Sequence, residues 1–160
     1  MSAASSSSDV FLTPAALFEH WQGHRRLTRR VIEAFPDDKL GSYAVGGMRP
    51  FGVMAVELID MAAPTLKGVL TGEWKDGGGA KPRTKAEILA RWDQSTTELN
   101  ELWPKIPAAR FAETMTAFGQ WKMRGSELIL YLVDNEIHHR GQGYVYLRSL
   151  GIAPPAFWER

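Results

Sequence analysis

The sequence predicts an all-α fold: an up-and-down four-helix bundle with a short extended hairpin segment before the last helix. Three observations carry that prediction. Apolar residues recur at three- and four-residue steps through four long stretches. Capping residues or prolines bound most of these stretches. The run Leu128-Ile129-Leu130-Tyr131-Leu132-Val133 is apolar on every side, as expected of a helix buried all round.

Residues 1–10 are rich in Ser and Ala, offer nothing to bury and read as a disordered tail, which leaves 11–160 as one domain. Thr13-Pro14 then looks like an N-cap followed by proline at the first helical position. Leu17, Phe18, Trp21, His24, Leu27, Val31 and Ile32 form the apolar stripe of the first helix, which Phe35-Pro36 ends. Arg25, Arg26, Arg29 and Arg30 are expected on its solvated outer side. The glycine-bearing stretch from Asp37 to Pro50 reads as a connection.

The second helix is predicted from Phe51 to Leu70, with Phe51, Met54, Leu58, Met61, Leu66 and Leu70 on its apolar face and a kink at Pro64. Glu57, a carboxylate among Met54, Ala55, Val56, Leu58 and Ile59, is the first chemical anomaly of the chain. A loop from Thr71 to Arg83 follows. Its glycines fit neither the P-loop nor the dinucleotide pattern, because Gly78 and Pro82 stand where those motifs need lysine and glycine.

Thr84-Lys85-Ala86-Glu87 is a capping box that opens the third helix, and Pro104 stops it. Two short extended segments are expected around Gly119. Ser126 is expected to cap the fourth helix, which runs from Glu127 to about Ser149. Its apolar start gives way abruptly to Asp134-Asn135-Glu136-Ile137-His138-His139-Arg140-Gly141-Gln142-Gly143.

Composition narrows the function. Nineteen Lys and Arg against eighteen Asp and Glu leave no field to steer the chain to nucleic acid or an anionic membrane. Zero cysteine excludes disulfides, iron–sulfur clusters, Cys-ligated zinc and thiol nucleophiles, and fits a cytoplasmic protein. No stretch is apolar for long enough to span a membrane. There is also no G-x-S-x-G nucleophile elbow.

On the fourth helix Leu128, Leu132, Asn135, His139, Gln142 and Tyr146 share one stripe, so an inward His139 lies one turn from an inward amide. A buried carboxylate such as Glu57 on a neighbouring helix would complete a layout in which bundles hold metal. A simply hydrogen-bonded histidine fits the same pattern. His24 is expected to be a packed or water-bonded residue. Arg140, Gln142 and Arg148 are expected to serve structure, bonding loop carbonyls and capping helix ends.

Asn135-Glu136-Ile137-His138-His139-Arg140-Gly141-Gln142, followed by Tyr146-Leu147-Arg148, Leu150-Gly151 and Pro154-Pro155, resembles the signature helix of the DinB-like superfamily of small bacterial four-helix bundles. Arg49-Pro50-Phe51-Gly52, the Trp74 loop into Pro82-Arg83-Thr84-Lys85-Ala86-Glu87, and Gly125-Ser126-Glu127-Leu128 add to the likeness, which covers most of residues 13–158. The family takes its name from a damage-inducible gene, so the resemblance implies a stress-response role. It further implies three histidines around a divalent ion (Ni, Zn, Fe or Mn), one on the second helix and two on the fourth. Only His139 is retained, and Glu57 and Asn135 stand at the other two positions.

The resemblance therefore implies a modified or degenerate metal site of Glu57, Asn135 and His139 in a metal-dependent thiol transferase-type enzyme. The thiol would come from the substrate. A small-molecule substrate and a second copy of the chain are the partners it implies. The alternative is a non-catalytic bundle that binds a small ligand or partner, its polar pocket a buried hydrogen-bond network.

Overall fold

The computed structural model describes residues 11–77 and 84–160. The expected N-terminal tail and the end of the expected 71–83 loop lie outside the described residues. The chain is mostly helical, with one two-stranded hairpin.

Helix α1 spans Pro14–Ala34, and the Thr13 hydroxyl accepts the Ala16 N–H at 3.1 Å. Its expected basic outer face needs one correction. Arg25 is 1% exposed; its guanidinium lies 4.3 Å from the Trp92 ring centroid and donates to the Thr96 hydroxyl. Helical spacing explains this, because Arg25 stands in step with Trp21, Thr28 and Ile32, all of them buried. Its charge pointed outward, but its position in the helix decided the matter.

The expected connection contains a one-turn helix, α2 (Asp37–Leu40). Helix α3 (Phe51–Thr71) runs through Pro64 without interruption and ends on Gly72, whose φ of 81° is the left-handed cap conformation that favours glycine. Helix α4 (Lys85–Leu102) opens on a reciprocal capping box in which the Glu87 N–H meets the Thr84 hydroxyl and the Glu87 carboxylate takes the Thr84 N–H. A 3-10 turn, Trp103–Lys105, carries Pro104, and a short α5 (Ala108–Ala112) leads to the hairpin.

Strands β1 (Thr114–Ala117) and β2 (Trp121–Arg124) pair antiparallel, Ala117 opposite Trp121, where two extended segments were expected around Gly119. Helix α6 spans Gly125–Ser149. Its N-cap is Arg124, whose N–H is taken by the Glu127 carboxylate at 2.8 Å, so Ser126 lies inside the helix and is not the cap.

Helix α6 packs against α3 on one flank and α1 on the other, and α4 closes the ring between α1 and α3. Burial on every side is therefore not what the start of α6 has. Leu130 and Tyr131 are 40% and 52% exposed, because they fall outside the flanks that α6 packs on α1 and α3.

The core divides into two apolar clusters. Trp21, Leu66, Val69, Leu99, Ile129 and Val133 belong to the one at the hairpin end. Val31, Phe35, Phe51, Trp92, Tyr146 and Leu147 belong to the other. On α1 and α6 the polar belt of His24, Arg25, Thr28, Glu136, His139 and Arg140 falls between them. That belt is where chemistry can reside.

Candidate functional site

Helices α3 and α6 run antiparallel and meet in rungs. At the first, a Cβ on Gly143 would stand 2.7 Å from the Phe51 ring, so the missing side chain is what lets the two helices close. The Tyr146 hydroxyl donates to the Arg49 carbonyl at 2.9 Å and so ties down the residue before Pro50. At the next rung His139 Nε2 lies 3.1 Å from Glu57 Oε1. One turn further along, the Asn135 amide reaches Met61 Sδ at 3.6 Å.

The structure thus brings together two of the three residues expected at the site. Asn135 is half-buried and engaged with Met61, while Glu57 and His139 bond directly. The second Glu57 oxygen is ion-paired to Arg49. His139 is buried, and its Nδ1 faces the side-chain amide of Gln142 at 3.2 Å. Burial alone would raise the Glu57 carboxyl, but hydrogen bonds from Arg49 and His139, with their charges, outweigh it and hold Glu57 below the usual carboxylate range. Glu57 is therefore an ionised acceptor at neutral pH.

Could these residues hold a divalent ion? Among the described residues, no three His, Cys, Asp or Glu side chains gather closely enough to do so. An ion would find one carboxylate and one imidazole. It would have to break their mutual hydrogen bond and share the carboxylate with a guanidinium. That donor set suits neither nickel nor zinc as a tightly held resident metal.

Arg49 and Gln142 are the participants that sequence reasoning did not assign to the site. Gln142 was legible, standing three residues beyond His139 on the same stripe. Arg49 was not, because it precedes α3 and reaches Glu57 through a turn whose path no periodicity reveals.

The opposite flank of α6 carries a second polar group. Glu136 is 2% exposed, accepts from Trp21 Nε1 at 3.1 Å and from the Thr28 hydroxyl at 2.6 Å, and faces Arg140 at 4.0 Å. Arg140 donates to the His24 carbonyl, to Thr28 and to His24 Nδ1. It therefore bonds the interior of α1, where loop carbonyls and helix ends were expected. His138 is exposed and meets the Gln142 amide at 3.4 Å.

Beside the Glu57–His139 rung a cleft of about 510 Å³ opens between α3 and the hairpin, with Arg49, Glu57, Asp60, Met61, Thr65 and Trp121 among its walls.

A family model described as the DinB family matches residues 5–160. The chain is 23% identical over 158 residues to the uncharacterized protein YjoA of Bacillus subtilis (strain 168), covering 90% of this chain and 95% of that protein. The YjoA crystal structure superposes with a TM-score of 0.75 at 17% identity, covering 90% of this chain and 97% of that one. A DinB-like protein from Bacillus cereus ATCC 10987 gives 0.74 at 18% identity, covering 93% and 100%. A mycothiol-dependent maleylpyruvate isomerase gives 0.59 at 14% identity, covering 87% of this chain and 68% of that one.

Proposed function

The chain belongs to the DinB family, and from that premise we propose that it is a small-molecule-binding member in which the Glu57–His139 pair works as a proton-transfer and anchoring pair at the mouth of the α3–hairpin cleft. One observation carries the reading: His139 Nε2 meets Glu57 Oε1 at 3.1 Å while Arg49 occupies the other oxygen. The carboxylate is fixed in place and kept ionised, so it can orient the imidazole. Of the two, Glu57 lines the cleft while His139 lies buried behind it with Nδ1 on Gln142, so the carboxylate is the member that can accept a proton or hydrogen bond from a bound molecule, with the imidazole as its supporting partner. Arg49, half exposed at the cleft wall, supplies a positive charge for an anionic end of that molecule.

The family's metal chemistry remains the competing occupant of this pair. The maleylpyruvate isomerase shares only the fold with this chain, and thiol transfer is not carried over from it. The test is calorimetric titration of nickel, zinc and manganese into chelator-stripped protein, with Glu57→Gln in parallel. No saturable uptake by either protein is expected. Stoichiometric uptake by the parent that disappears in Glu57→Gln would replace the proton-transfer pair with a metal centre.

A further inference from the structure

Next to the wide cleft, and sharing Met61, Thr65, Phe118 and Trp121 with it, lies a smaller pocket of about 140 Å³. Ala117, Met123, Tyr131 and Leu132 complete much of its wall. Its size is that of an apolar cavity that accepts one benzene ring. We propose that this pocket is a ring subsite: it takes a six-membered aromatic ring bearing one hydrogen-bonding substituent, as part of a ligand whose polar end meets Glu57 and Arg49. The inference rests on the small-molecule reading above and names the ligand class.

Two independent features of the pocket point to such an occupant. The first is Thr65, which is 5% exposed and lines both cavities. Among the described residues its hydroxyl has no hydrogen-bond partner, although a helical threonine ordinarily bonds the carbonyl one turn back. A hydroxyl left open at the wall of an apolar pocket, on a residue otherwise buried, is a feature that a ring substituent would satisfy.

The second is Phe118. The hairpin turns through Phe118 and Gly119, whose φ values are 50° and 68°, with the Gln120 N–H on the Ala117 carbonyl at 3.0 Å. A turn with two left-handed residues favours Asn-Gly or Gly-Gly, and a bulky aromatic there is a backbone outlier. What the outlier provides is placement. The Phe118 ring stands 6.3 Å from Trp121, with which it lines the pocket, and 5.2 Å from Trp74. Strain held at a ligand-facing residue of this kind is characteristic of binding sites.

The experiment is an NMR titration of the full chain with phenol and, separately, toluene. Both should give saturable shifts confined to the pocket residues. Thr65→Val keeps the shape and removes the hydroxyl, so it should weaken phenol binding about fivefold and leave toluene unchanged. Ala117→Leu, checked for folding by its amide spectrum, should fill the pocket and abolish both. In Glu57→Gln phenol should bind as in the parent, so the ring subsite is scored independently of the proton-transfer pair. The inference is overturned by absence of saturable shifts in the parent, by equal phenol binding to Thr65→Val, or by loss of phenol binding in Glu57→Gln.

Discussion

The two flanks of α6 carry the same residue types to different ends. Toward α1, Glu136 and Arg140 lie in a dry layer where Trp21, Thr28 and His24 satisfy them. Toward α3, Glu57 and His139 bond each other beside a cleft, and the carboxylate keeps about a third of its side chain in solvent. The pKa directions separate the flanks as well. Burial pushes Glu136 up, against the pull of Arg25, Thr28, Arg140 and Trp21, whereas the Arg49 and His139 contacts bring Glu57 down despite its partial burial. Sealed on every side, a carboxylate, a guanidinium and an imidazole hold helices together. With one side open they become available for chemistry.

The largest expected effect comes from breaking the dry flank. Arg140→Met leaves Glu136 buried with fewer partners and should cost about 3–5 kcal/mol of stability in urea unfolding. A loss below about 1 kcal/mol would mean that Glu136 escapes to water, and the contrast between the flanks would collapse.

Acid should weaken the same flank. Burial, then the nearby charges of Arg140, His20 and Arg160, hold the His24 pKa down to about 4 from its ordinary 6.5. Because the folded value is the lower one, the unfolded chain takes up the proton first as pH falls. The His24 contribution is therefore complete above pH 6.5 and is lost between 6.5 and about 4, on the order of 3 kcal/mol over that window. Unfolding curves of the parent and His24→Gln across this range should converge as pH falls. Parallel curves would remove His24 from the account.

The open flank can be turned into a metal centre by design. Glu57→His with Asn135→His offers three imidazoles with His139, and nickel at a hundred times its Kd should then stabilise the variant by about 2.7 kcal/mol in thermal melts. A folded double variant that melts the same with and without nickel would show that positions 57, 135 and 139 do not converge on one ion.

The smallest effect is expected from Glu57→Gln, which should shift stability at pH 7 by less than about 1 kcal/mol because the ion pair with Arg49 is half exposed. Since its folded pKa is depressed, whatever Glu57 contributes is present above about pH 4.3 and disappears as pH falls through its folded value. A loss at pH 7 as large as that of Arg140→Met would make this flank structural too.

Much of the bundle was legible in the sequence. The Thr13 and Thr84 caps, the helix-two and helix-three spans and the turn at Gly119 follow from spacing and punctuation. Glu57 and His139 were also legible, as a carboxylate among apolar neighbours and a histidine on a buried stripe. What spacing did not reveal was which helix each side of α6 would meet. Arg140 was expected on loop carbonyls and helix ends, whereas it and Glu136 are met by Thr28, His24 and Trp21 from the interior of α1. Arg25 looked solvated because its charge was weighed above its place in the helix. Asn135 was on the right stripe but one rung from the pair, a distance of one helical turn that only the pairing of α3 with α6 reveals.

For anyone wishing to toughen this protein, two of the three glycines of α6, Gly141 and Gly143, pull in opposite directions. Replacing a helical glycine with alanine usually gains about 0.5–1 kcal/mol by restricting the unfolded chain. At Gly141 nothing stands within 4 Å of the added methyl, and the gain should appear in full as a higher melting temperature. At Gly143 the methyl would be driven to 2.7 Å from the Phe51 ring, so the routine improvement should become a loss. Position 141 has room for a side chain, while position 143 has none, because any bulk there would wedge open the rungs that bring Glu57 to His139.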